Sequence, residues 1–251
     1  MIYFLIPTFN EETNIEKLYL TLSKVLTDYP KFYVLSDDGS KDLTIKTIKE
    51  FFKNEQFIIL GDGNNRGPGA AFNIGFEWIL NHSTNINDRI ITLEADNTSD
   101  TNMLSKMLKI SELGFDLVLA SVYAQGGGFS KTSFFRKFVS TVANILMRFF
   151  FDLKILTTSS FYRIYKVETV KQIKKQYEKI IVEPGFISAL EILIKAIRIN
   201  ASIIEVPIVL YSEERKGKSK MKIIKTSLNY FKFIIKNKTI LIKGKTIKIY
   251  F

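Results

Sequence analysis

Short apolar segments alternate with longer amphipathic segments through the first 120 residues, and this pattern constrains the fold more than any other feature. Short apolar segments are typical of buried strands, and longer segments with one apolar face are typical of helices that cover a sheet. Strands that alternate with helices along the chain form parallel sheets. The sequence therefore predicts an α/β domain whose mostly parallel central sheet is flanked by helices.

Polar and glycine-rich residues follow the first four predicted strands. In parallel sheets, ligands bind just beyond the carboxyl ends of the strands, so we expect the site there. The predicted strands are Ile2–Ile6, Phe32–Leu35, Phe57–Leu60, Arg89–Leu93, Asp116–Ala120, Ser160–Tyr165 and Ala201–Leu210. The predicted helices span residues 12–28, 42–53, 69–81, 101–113, 132–151, 168–178 and 185–198.

Charge and residue usage limit the chemistry of such a domain. The 251 residues allow one large domain with a short appendage. The 36 basic residues outnumber the 25 acidic ones, and the resulting net charge of +11 favours an anionic partner: nucleic acid, a phosphorylated substrate or an anionic membrane surface. The chain has no cysteine and a single histidine, His82. Disulfides and thiolate chemistry are therefore excluded, and any metal must bind oxygen ligands.

The first nine residues, MIYFLIPTF, are apolar but lack a basic leader or a small-residue cleavage site. We predict a buried strand there and no signal peptide. No segment reaches the length of about 18 uninterrupted apolar residues that a spanning helix needs. Even the apolar region from Glu191 to Tyr211 is interrupted by Lys195, Arg198 and Glu205. We expect a cytoplasmic protein without a transmembrane helix.

Two carboxylates, Glu94 and Asp96, follow the fourth predicted strand. Mg²⁺ and Mn²⁺ prefer one or two protein carboxylates together with water and substrate phosphates, so this pair is a candidate metal site. The other interpretation is a helix cap formed by the polar residues 97–99. Spacing alone leaves both interpretations open.

Two further loops follow predicted strands. Asp37 and Asp38 begin an acidic turn, which on its own favours a capped loop before the next helix, because Asp, Gly and Ser commonly form turns. Residues Asn65–Gly69 resemble a loop that exposes its backbone at the start of a helix, which suits a phosphate or a sugar. This loop lacks the Gly-Lys-Ser/Thr ending of a Walker loop.

The order and spacing of six short motifs resemble family 2 glycosyltransferases, in particular the dolichol-phosphate or polyprenyl-phosphate mannosyltransferase branch. The resemblance covers roughly residues 1–221 and implies a GT-A fold, in which a nucleotide-sugar-binding sheet holds a divalent metal, Mg²⁺ or Mn²⁺, at an acidic motif. It also implies a catalytic domain over residues 1–220. The motifs are Ile6–Glu12, Ser36–Asp42, Asn65–Ala71, Glu94–Asp96, Gly126–Gly128 and Gly217–Met221.

The resemblance also implies roles for individual residues. The nucleotide sugar would be bound by Pro7, Phe9, Glu11, Asp37, Asp38, Gly67, Glu94, Ala95 and Asp96, with Glu94 and Asp96 as the metal ligands. The acceptor phosphate would be bound by Arg136, Ser140 and Lys220, and the catalytic residues would be Asp96, Arg136, Arg215 and Lys220.

Three positions depart from the pattern of this branch. Glu94 stands where the branch usually has Asp, and Val122 stands where it usually has Arg. In the late basic loop, Glu214 stands at an expected Arg position, with Arg215 one residue later.

The function that the resemblance implies is transfer of a mannose-like hexose from GDP-mannose or a UDP-hexose to a polyprenyl phosphate. A phosphate acceptor is already ionised at neutral pH and needs no strong general base. An alternative is a glycan or other hydroxyl acceptor in surface polysaccharide synthesis, with a base among Asp116, Glu183 and Glu191. Another alternative is a noncatalytic protein that binds nucleotide sugars or anionic lipid. Nucleic acid is not an expected partner, because the positive charge is spread along the chain without a recognised module.

Residues 221–251 are predicted to form a basic amphipathic helix, over 221–236, and a hairpin. The helix and the Phe-rich run within 134–151 suit either an anionic membrane surface or packing, on the domain or in a homo-oligomer. We favour core packing for the Phe-rich run, because aromatic stripes are usually buried, and the membrane surface for the helix. The run comprises Phe134, Phe135, Phe138, Phe149, Phe150 and Phe151. The helix places Ile224, Leu228, Phe231 and Ile235 on one face and Lys225, Asn229, Lys232 and Lys236 on a neighbouring one.

Overall fold

A seven-stranded sheet forms the centre of the computed structural model, which describes residues 1–217, 226 and 228–235. Neighbouring strands are parallel except at β7, which runs antiparallel to β4 and β5. The predicted α/β class with a mostly parallel sheet is confirmed. In spatial order the strands are β3 (Phe57–Leu60), β2 (Lys31–Asp37), β1 (Ile2–Thr8), β4 (Arg89–Thr92), β7 (Arg163–Lys166), β5 (Leu117–Ser121) and β8 (Ile203–Pro207).

Both faces of this sheet are covered, which explains why β1 is apolar over consecutive positions from Ile2 to Ile6. Along β1, Phe4 and Ile6 pack into one hydrophobic cluster, while Tyr3 and Leu5 pack into another. Successive strand residues point to opposite faces, so a continuous apolar run supplies two cores at once.

Amphipathic helices provide the other side of each core. The first cluster contains Ile15, Leu18, Ile48 and Leu104 from three helices, and the second contains Phe72, Val170 and Leu193 from three others. The helices are α1 (Glu12–Leu22), α2 (Thr44–Phe51), α3 (Pro68–His82), α4 (Leu104–Glu112), α5 (Phe134–Phe150), α6 (Val167–Tyr177) and α7 (Ser188–Arg198).

The first helix ends earlier than the sequence predicts. Helix α1 stops at Leu22 rather than near residue 28. The ammonium of Lys31, at the start of β2, donates to the carbonyl oxygens of Leu22, Ser23 and Val25 at 3.1, 3.2 and 3.1 Å. These bonds satisfy carbonyls that a longer helix would have used internally.

The long strand predicted over 201–210 is wrong as a single element. It divides at Ile208 into β8 of the central sheet and β9 (Val209–Tyr211), which pairs in parallel with β6 (Gly128–Ser130) in a separate two-stranded sheet. Pro207 ends β8 and has no amide hydrogen to continue the ladder. The amide of Ile208 instead donates to the carbonyl of Ser121 at 3.0 Å, and the chain enters the second sheet.

The expected core packing of the Phe-rich run is wrong for four of its six members. Phe134, Phe135, Phe138 and Phe149 are between 56% and 83% exposed. Only Phe150 and Phe151 contact a core, the small third cluster. The spacing of the exposed residues along α5 places them on one helical face, which points away from the protein.

The late helix has a second apolar face beside the one that the sequence predicts. Residues 228–235 are helical, but Leu228, Phe231 and Ile235 of the predicted apolar face are more than half exposed. The third hydrophobic cluster instead takes up a second set of apolar residues, which packs against α5 and α7. This set is Tyr230, Phe233 and Ile234, and its partners include Met147, Leu190 and Ile194.

No helix within the described residues combines the length and the apolar character needed to cross a membrane. Several predictions lie outside the described residues. They are the role of Lys220, the helical positions Ile224, Lys225 and Lys236, the hairpin over 239–251 and the boundary between a catalytic domain and an appendage at residue 220.

Candidate active site

A cavity of about 850 Å³ opens at the carboxyl edge of the central sheet. Strands β1, β2 and β4 are parallel and end side by side there, so the residues that follow them meet. Most of the site residues expected from the sequence line this cavity. They are Pro7, Phe9, Glu11, Asp38, Gly67, Glu94, Ala95, Asp96, Arg136, Ser140 and Arg215.

Asp37 is the exception among the described candidates, because its carboxylate is used by its own turn. The carboxylate accepts hydrogen bonds from the amides of Gly39 and Ser40 at 3.1 and 2.9 Å. It also accepts bonds from the hydroxyls of Ser40 and Thr8 at 2.5 and 3.3 Å. Asp37 does not line the cavity, and for this residue the capped-turn interpretation is the better one.

Asp38 holds the loop that begins α3. Its carboxylate accepts from the amide of Arg66 at 2.7 Å and from the amide of Gly67 at 2.9 and 3.0 Å. Burial raises the pKa of Asp38, although both amides oppose the rise. The bonds fix the backbone of residues 65–67 beside the cavity, where the sequence predicts a phosphate-binding or sugar-binding loop.

Gly67 is required by the geometry of this loop. Its φ of +105° lies in a region that L side chains rarely adopt. A Cβ at this position would also lie only 2.4 Å from the carbonyl oxygen of Pro184. The loop therefore approaches the 184–186 segment, which also lines the cavity, more closely than any other residue type allows.

Asp96 is held through both carboxylate oxygens. Its Oδ1 accepts from the amide and the hydroxyl of Thr98 at 3.1 and 2.8 Å. Its Oδ2 accepts from Nε of Arg215 at 2.7 Å and from Nη2 of the same guanidinium. The cap expected for the next helix comes from Asp100, which accepts from the amide of Asn102 at 3.2 Å. The cap is therefore not formed by residues 97–99 as the alternative interpretation expected.

Glu94 lies in a negative environment. Desolvation raises its pKa to about 8, and the neighbouring Asp96 and Glu11 carboxylates add to the rise while Arg215 opposes it. Its carboxylate makes no hydrogen bond or ion pair to any residue that the structure describes. Glu94 therefore presents oxygen ligands that a cation would stabilise, whereas Oδ2 of Asp96 is bonded to Arg215; two such carboxylates fit a hard divalent metal.

Arg215 reaches the cavity from the loop that follows β9. The amide of Lys216 donates to the side-chain oxygen of Asn14 at 2.9 Å, and the Asn14 amide group donates back to the Lys216 carbonyl at 3.0 Å. Glu214 forms an ion pair with Lys17 of α1. Glu214 therefore points away from the main cavity, and Arg215 supplies the guanidinium that the sequence pattern expects one residue earlier.

Arg136 and Ser140 lie one turn apart on α5, and both line the cavity. The hydroxyl of Ser140 is 2.8 Å from the hydroxyl of Tyr123. Val122, which replaces an expected arginine, also lines the cavity and brings no charge.

One part of the cavity wall, which is rich in hydroxyl groups, was not predicted from the sequence. The signal that could have found it is the run of four hydroxyl residues just before β7. Asn144 of α5 and Glu205 of β8 hold the start of this segment, since Asn144 Oδ1 accepts from the Thr158 amide and Glu205 accepts from the Leu156 and Thr157 amides. The missed lining residues include Tyr123, Thr132, Thr157, Ser159, Ser160, Asn229 and Tyr230.

The general bases proposed for a hydroxyl acceptor do not line the cavity. Asp116 is at the start of β5, where it pairs with Lys166 at 2.8 Å. Glu191 is fully buried and pairs with Lys195 at 2.7 Å. Glu183 lies on the neighbouring loop and its amide donates to Glu191.

The sheet, its carboxyl-edge cavity and the acidic pair after β4 are those of a GT-A glycosyltransferase. The family model described as glycosyl transferase family 2 matches residues 3–174, more than half of the chain. The chain belongs to this family, as its motifs predict, and is a glycosyltransferase.

Two curated relatives carry names of the predicted branch. Polyprenol monophosphomannose synthase of Mycolicibacterium smegmatis is 29% identical over 220 residues, which cover 86% of this chain and 79% of the relative. Dolichol-phosphate mannosyltransferase of Pyrococcus furiosus is 26% identical over 235 residues, which cover 92% of this chain and 61% of the relative. The chain thus spans about three fifths of the archaeal relative.

Solved structures confirm the fold. Glucosyl-3-phosphoglycerate synthase from Mycobacterium tuberculosis, in complex with Mn²⁺ and UDP-glucose, matches with a TM-score of 0.64 at 14% identity, over 93% of this chain and 76% of that one. The same synthase with Mg²⁺ and UDP matches with a TM-score of 0.59 at 16% identity, over 92% and 79%. At such low identity the likeness concerns the fold alone.

Proposed function

We propose that the chain transfers a hexose from a nucleotide diphosphate sugar to a polyprenyl phosphate at a membrane surface. The observation that carries the proposal is that one cavity combines two kinds of lining group. Carboxylates follow β1, β2 and β4, whereas a guanidinium and hydroxyls come from α5 and the 157–160 segment. The first set suits a donor that brings a metal, and the second suits an anionic acceptor. The names of both curated relatives support this pairing.

Glu94 and Asp96 would hold the divalent metal, Mg²⁺ or Mn²⁺. Within the described residues, no group of three or more acidic, histidine or cysteine side chains could hold a metal, so the remaining ligands would be water and the donor phosphates. When bound, the metal would neutralise charge on the leaving diphosphate. Arg215 would leave Oδ2 of Asp96 to free that oxygen. The Mn²⁺ and Mg²⁺ complexes of the mycobacterial synthase with the same fold support a divalent metal.

The nucleoside would lie against the residues that follow β1 and β2. Pro7, Phe9 and Glu11 line this part of the cavity together with Asp38 and Gly67. Asp38 would act by holding the backbone of the 65–67 loop, since its carboxylate is already bonded to that loop. This arrangement suits GDP-mannose and a UDP-hexose alike.

The acceptor phosphate would bind Arg136 and Ser140, with Lys220 as a further ligand from outside the described residues. Arg136 would place a phosphate oxygen near the sugar carbon and offset its charge. An ionised phosphate attacks without losing a proton, and this agrees with the positions of Asp116, Glu183 and Glu191 away from the cavity. A hydroxyl acceptor would lack the bases proposed for it.

Helix α5 would meet the membrane. This helix links the cavity to the membrane, because Arg136 lines the cavity while large apolar side chains of the same helix are exposed. The helix 228–235 packs against α5 and exposes Leu228, Phe231 and Ile235. Exposed apolar residues on helices of a basic protein suit the boundary of an anionic bilayer. A lipid-linked acceptor would then reach the cavity without leaving the membrane.

The first experiment is a thermal unfolding panel with GDP-mannose, UDP-glucose and dTDP-glucose, each with and without Mn²⁺. A ligand that binds the folded protein raises its unfolding temperature. We expect metal-dependent stabilisation by one donor, which is then used to assay transfer to citronellyl phosphate and to citronellol. Transfer to the phosphate alone is the expected result. Transfer to the alcohol at an equal rate, or stabilisation that needs no metal, would contradict the proposal.

A further inference from the structure

Arg163 is the largest side chain among the fully buried residues that the structure describes, with an exposure of 1%. It projects from β7 in the middle of the sheet. Its Nη1 donates to the hydroxyl of Tyr165 at 3.0 Å, and its Nη2 donates to the carbonyls of Ala189 and Thr158 at 2.8 and 3.5 Å. Its Nε has no hydrogen-bond partner among the described residues.

This guanidinium forms no ion pair with any residue that the structure describes. No described carboxylate lies within 4.0 Å of it, whereas the other fully buried cation, Lys195, is paired with Glu191 at 2.7 Å. Burial of an unpaired charge is unfavourable, and an apolar side chain of similar volume often stabilises a core better. Packing alone therefore does not explain an arginine at this position.

The charge lies directly behind the cavity wall. Thr158, whose carbonyl Arg163 contacts, stands between Thr157 and Ser159, which both line the cavity. Tyr230 also lines the cavity, and burial raises its pKa to about 12 although the charge of Arg163 opposes the rise. The field of Arg163 thus reaches a lining side chain through protein, where screening is weaker than in water.

We propose that Arg163 is a positioning residue for the acceptor phosphate and makes the wall formed by residues 157–160 electropositive. It acts through its charge, which favours an anion on the far side of that segment, and its Nη2 lies 3.5 Å from the carbonyl oxygen of Thr158. The inference deepens the proposed function and rests on it, because it assigns the phosphate to this part of the cavity. It also supplies a positive charge to a wall where Val122 brings none and where the Glu205 carboxylate is engaged by the amides of Leu156 and Thr157.

The test compares three variants with the wild type in binding citronellyl phosphate, the alcohol citronellol and inorganic phosphate. Arg163→Lys keeps the charge, and Arg163→Gln removes it. Tyr165→Phe removes one partner of Arg163 without changing the charge. Thermal unfolding of each variant checks the fold. If Arg163→Gln does not fold, Arg163→Met replaces it, since an apolar side chain of similar volume is cheaper to bury.

We expect Arg163→Gln to bind citronellyl phosphate about tenfold more weakly, and Arg163→Lys to lose less than about threefold. Citronellol should bind all four proteins equally, and Tyr165→Phe should match the wild type for each ligand. A merely structural role would instead weaken the phosphate and the alcohol together, or affect the Lys and Gln variants equally, and either result overturns the proposal.

A wrong acceptor would give a different result from a wrong role for Arg163. If the wild type does not bind citronellyl phosphate, the proposed acceptor is wrong, and inorganic phosphate alone decides the role of Arg163. Weaker phosphate binding by Arg163→Gln than by wild type would then support an anion site at this wall. Equal values for the two proteins would overturn it.

Discussion

The two oxygens of the Asp96 carboxylate have partners of different kinds. Oδ1 is held by Thr98, two residues along the same loop, whereas Oδ2 is held by Arg215 from a distant part of the chain. The local bonds orient the carboxylate even when Arg215 moves. Removal of its negative charge should therefore affect activity much more than folding.

Asp96→Asn tests this distinction. The amide oxygen can still accept from Thr98, but the side chain no longer attracts a metal or Arg215. We expect the rate of hexose transfer to fall at least about 100-fold, because stabilisation of the leaving diphosphate is lost. The unfolding temperature should change by less than about 4 °C. Steady-state transfer assays and thermal unfolding measure the two effects.

Asp28→Asn is the matched control, since Asp28 is an exposed carboxylate that does not line the cavity. It should leave both quantities unchanged. Wild-type rates in Asp96→Asn, or rates of the wild type that resist a metal chelator, would remove Asp96 from the catalytic groups.

Gly67→Ala should destabilise the protein and weaken donor binding. The methyl group meets the Pro184 carbonyl and the backbone is already at a positive φ, so we expect a loss of about 1–3 kcal/mol in the free energy of unfolding. Gly114→Ala is a close control: Gly114 has a similar φ of +115° but nothing within 4 Å of its would-be Cβ. Urea unfolding of both variants separates the clash from the backbone strain. Equal losses would mean that contact with Pro184 is unimportant.

For single residues, the sequence predicts which side chains come together at the cavity but not which hydrogen bonds they form. Glu94, Asp96 and Arg136 could be predicted because motif order and strand ends bring them to one edge. Asp37 and Asp38 could not be told apart, because consecutive acids in a turn point in different directions that only the folded loop determines. Arg163 gave no signal, since an arginine in a short strand does not by itself indicate burial.

At the scale of elements, α7 fixes a loop of the cavity through one ion pair. Lys195 donates to the carbonyls of Lys179 and Ile180 at 2.9 and 3.1 Å and to Glu191 at 2.7 Å. Glu191 in turn accepts from the amides of residues 182 and 183. The next residue, Pro184, accepts from the amide of Gly69 at 2.8 Å. The buried pair thus helps to position the start of α3.

Lys195→Met should be strongly destabilising, because it leaves Glu191 buried without its counter-charge. We expect a loss of about 3–5 kcal/mol in the free energy of unfolding. The double variant with Glu191→Gln should lose less, since no unpaired charge remains. Lys175→Met, at an exposed position of α6, should change little. Urea unfolding measures all three, and a double variant less stable than Lys195→Met would contradict the electrostatic explanation.

The strands and most helices could be predicted from apolar periodicity, but the buried face of the late helix could not. Residues 228–235 contain two apolar sets, one around Phe231 and one around Phe233, and periodicity alone does not choose between them. The choice is made by α7, whose Leu190 and Ile194 cover Phe233 and its neighbours. Helix α5 buries Met147 in the same cluster and leaves most of its Phe-rich run exposed.

Across the whole molecule, positive charge and exposed apolar surface occur together. The chain carries a net charge of +11, and α5 is 17 residues long, or about 25 Å. Its exposed apolar residues span nearly the whole length of the helix. They are Phe134, Phe135, Phe138, Val142, Ile145, Leu146 and Phe149. Attraction to an anionic bilayer and insertion of this face should therefore both contribute to membrane binding.

Sedimentation with vesicles separates the two contributions. We expect tighter binding to vesicles that contain phosphatidylglycerol than to pure phosphatidylcholine, with a difference that shrinks as salt screens the charges. Replacing Phe135 and Phe149 together by Ser should weaken binding about tenfold or more at every salt concentration, because the lost apolar burial is not screened. Replacing Leu113 and Ile86 by Ser provides the control, since both are exposed apolar residues outside α5. If the control variant weakens binding as much as the variant of Phe135 and Phe149 does, α5 is not the membrane-facing element. If the variant of Phe135 and Phe149 binds more weakly than the wild type only at low salt, charge alone holds the protein to the bilayer.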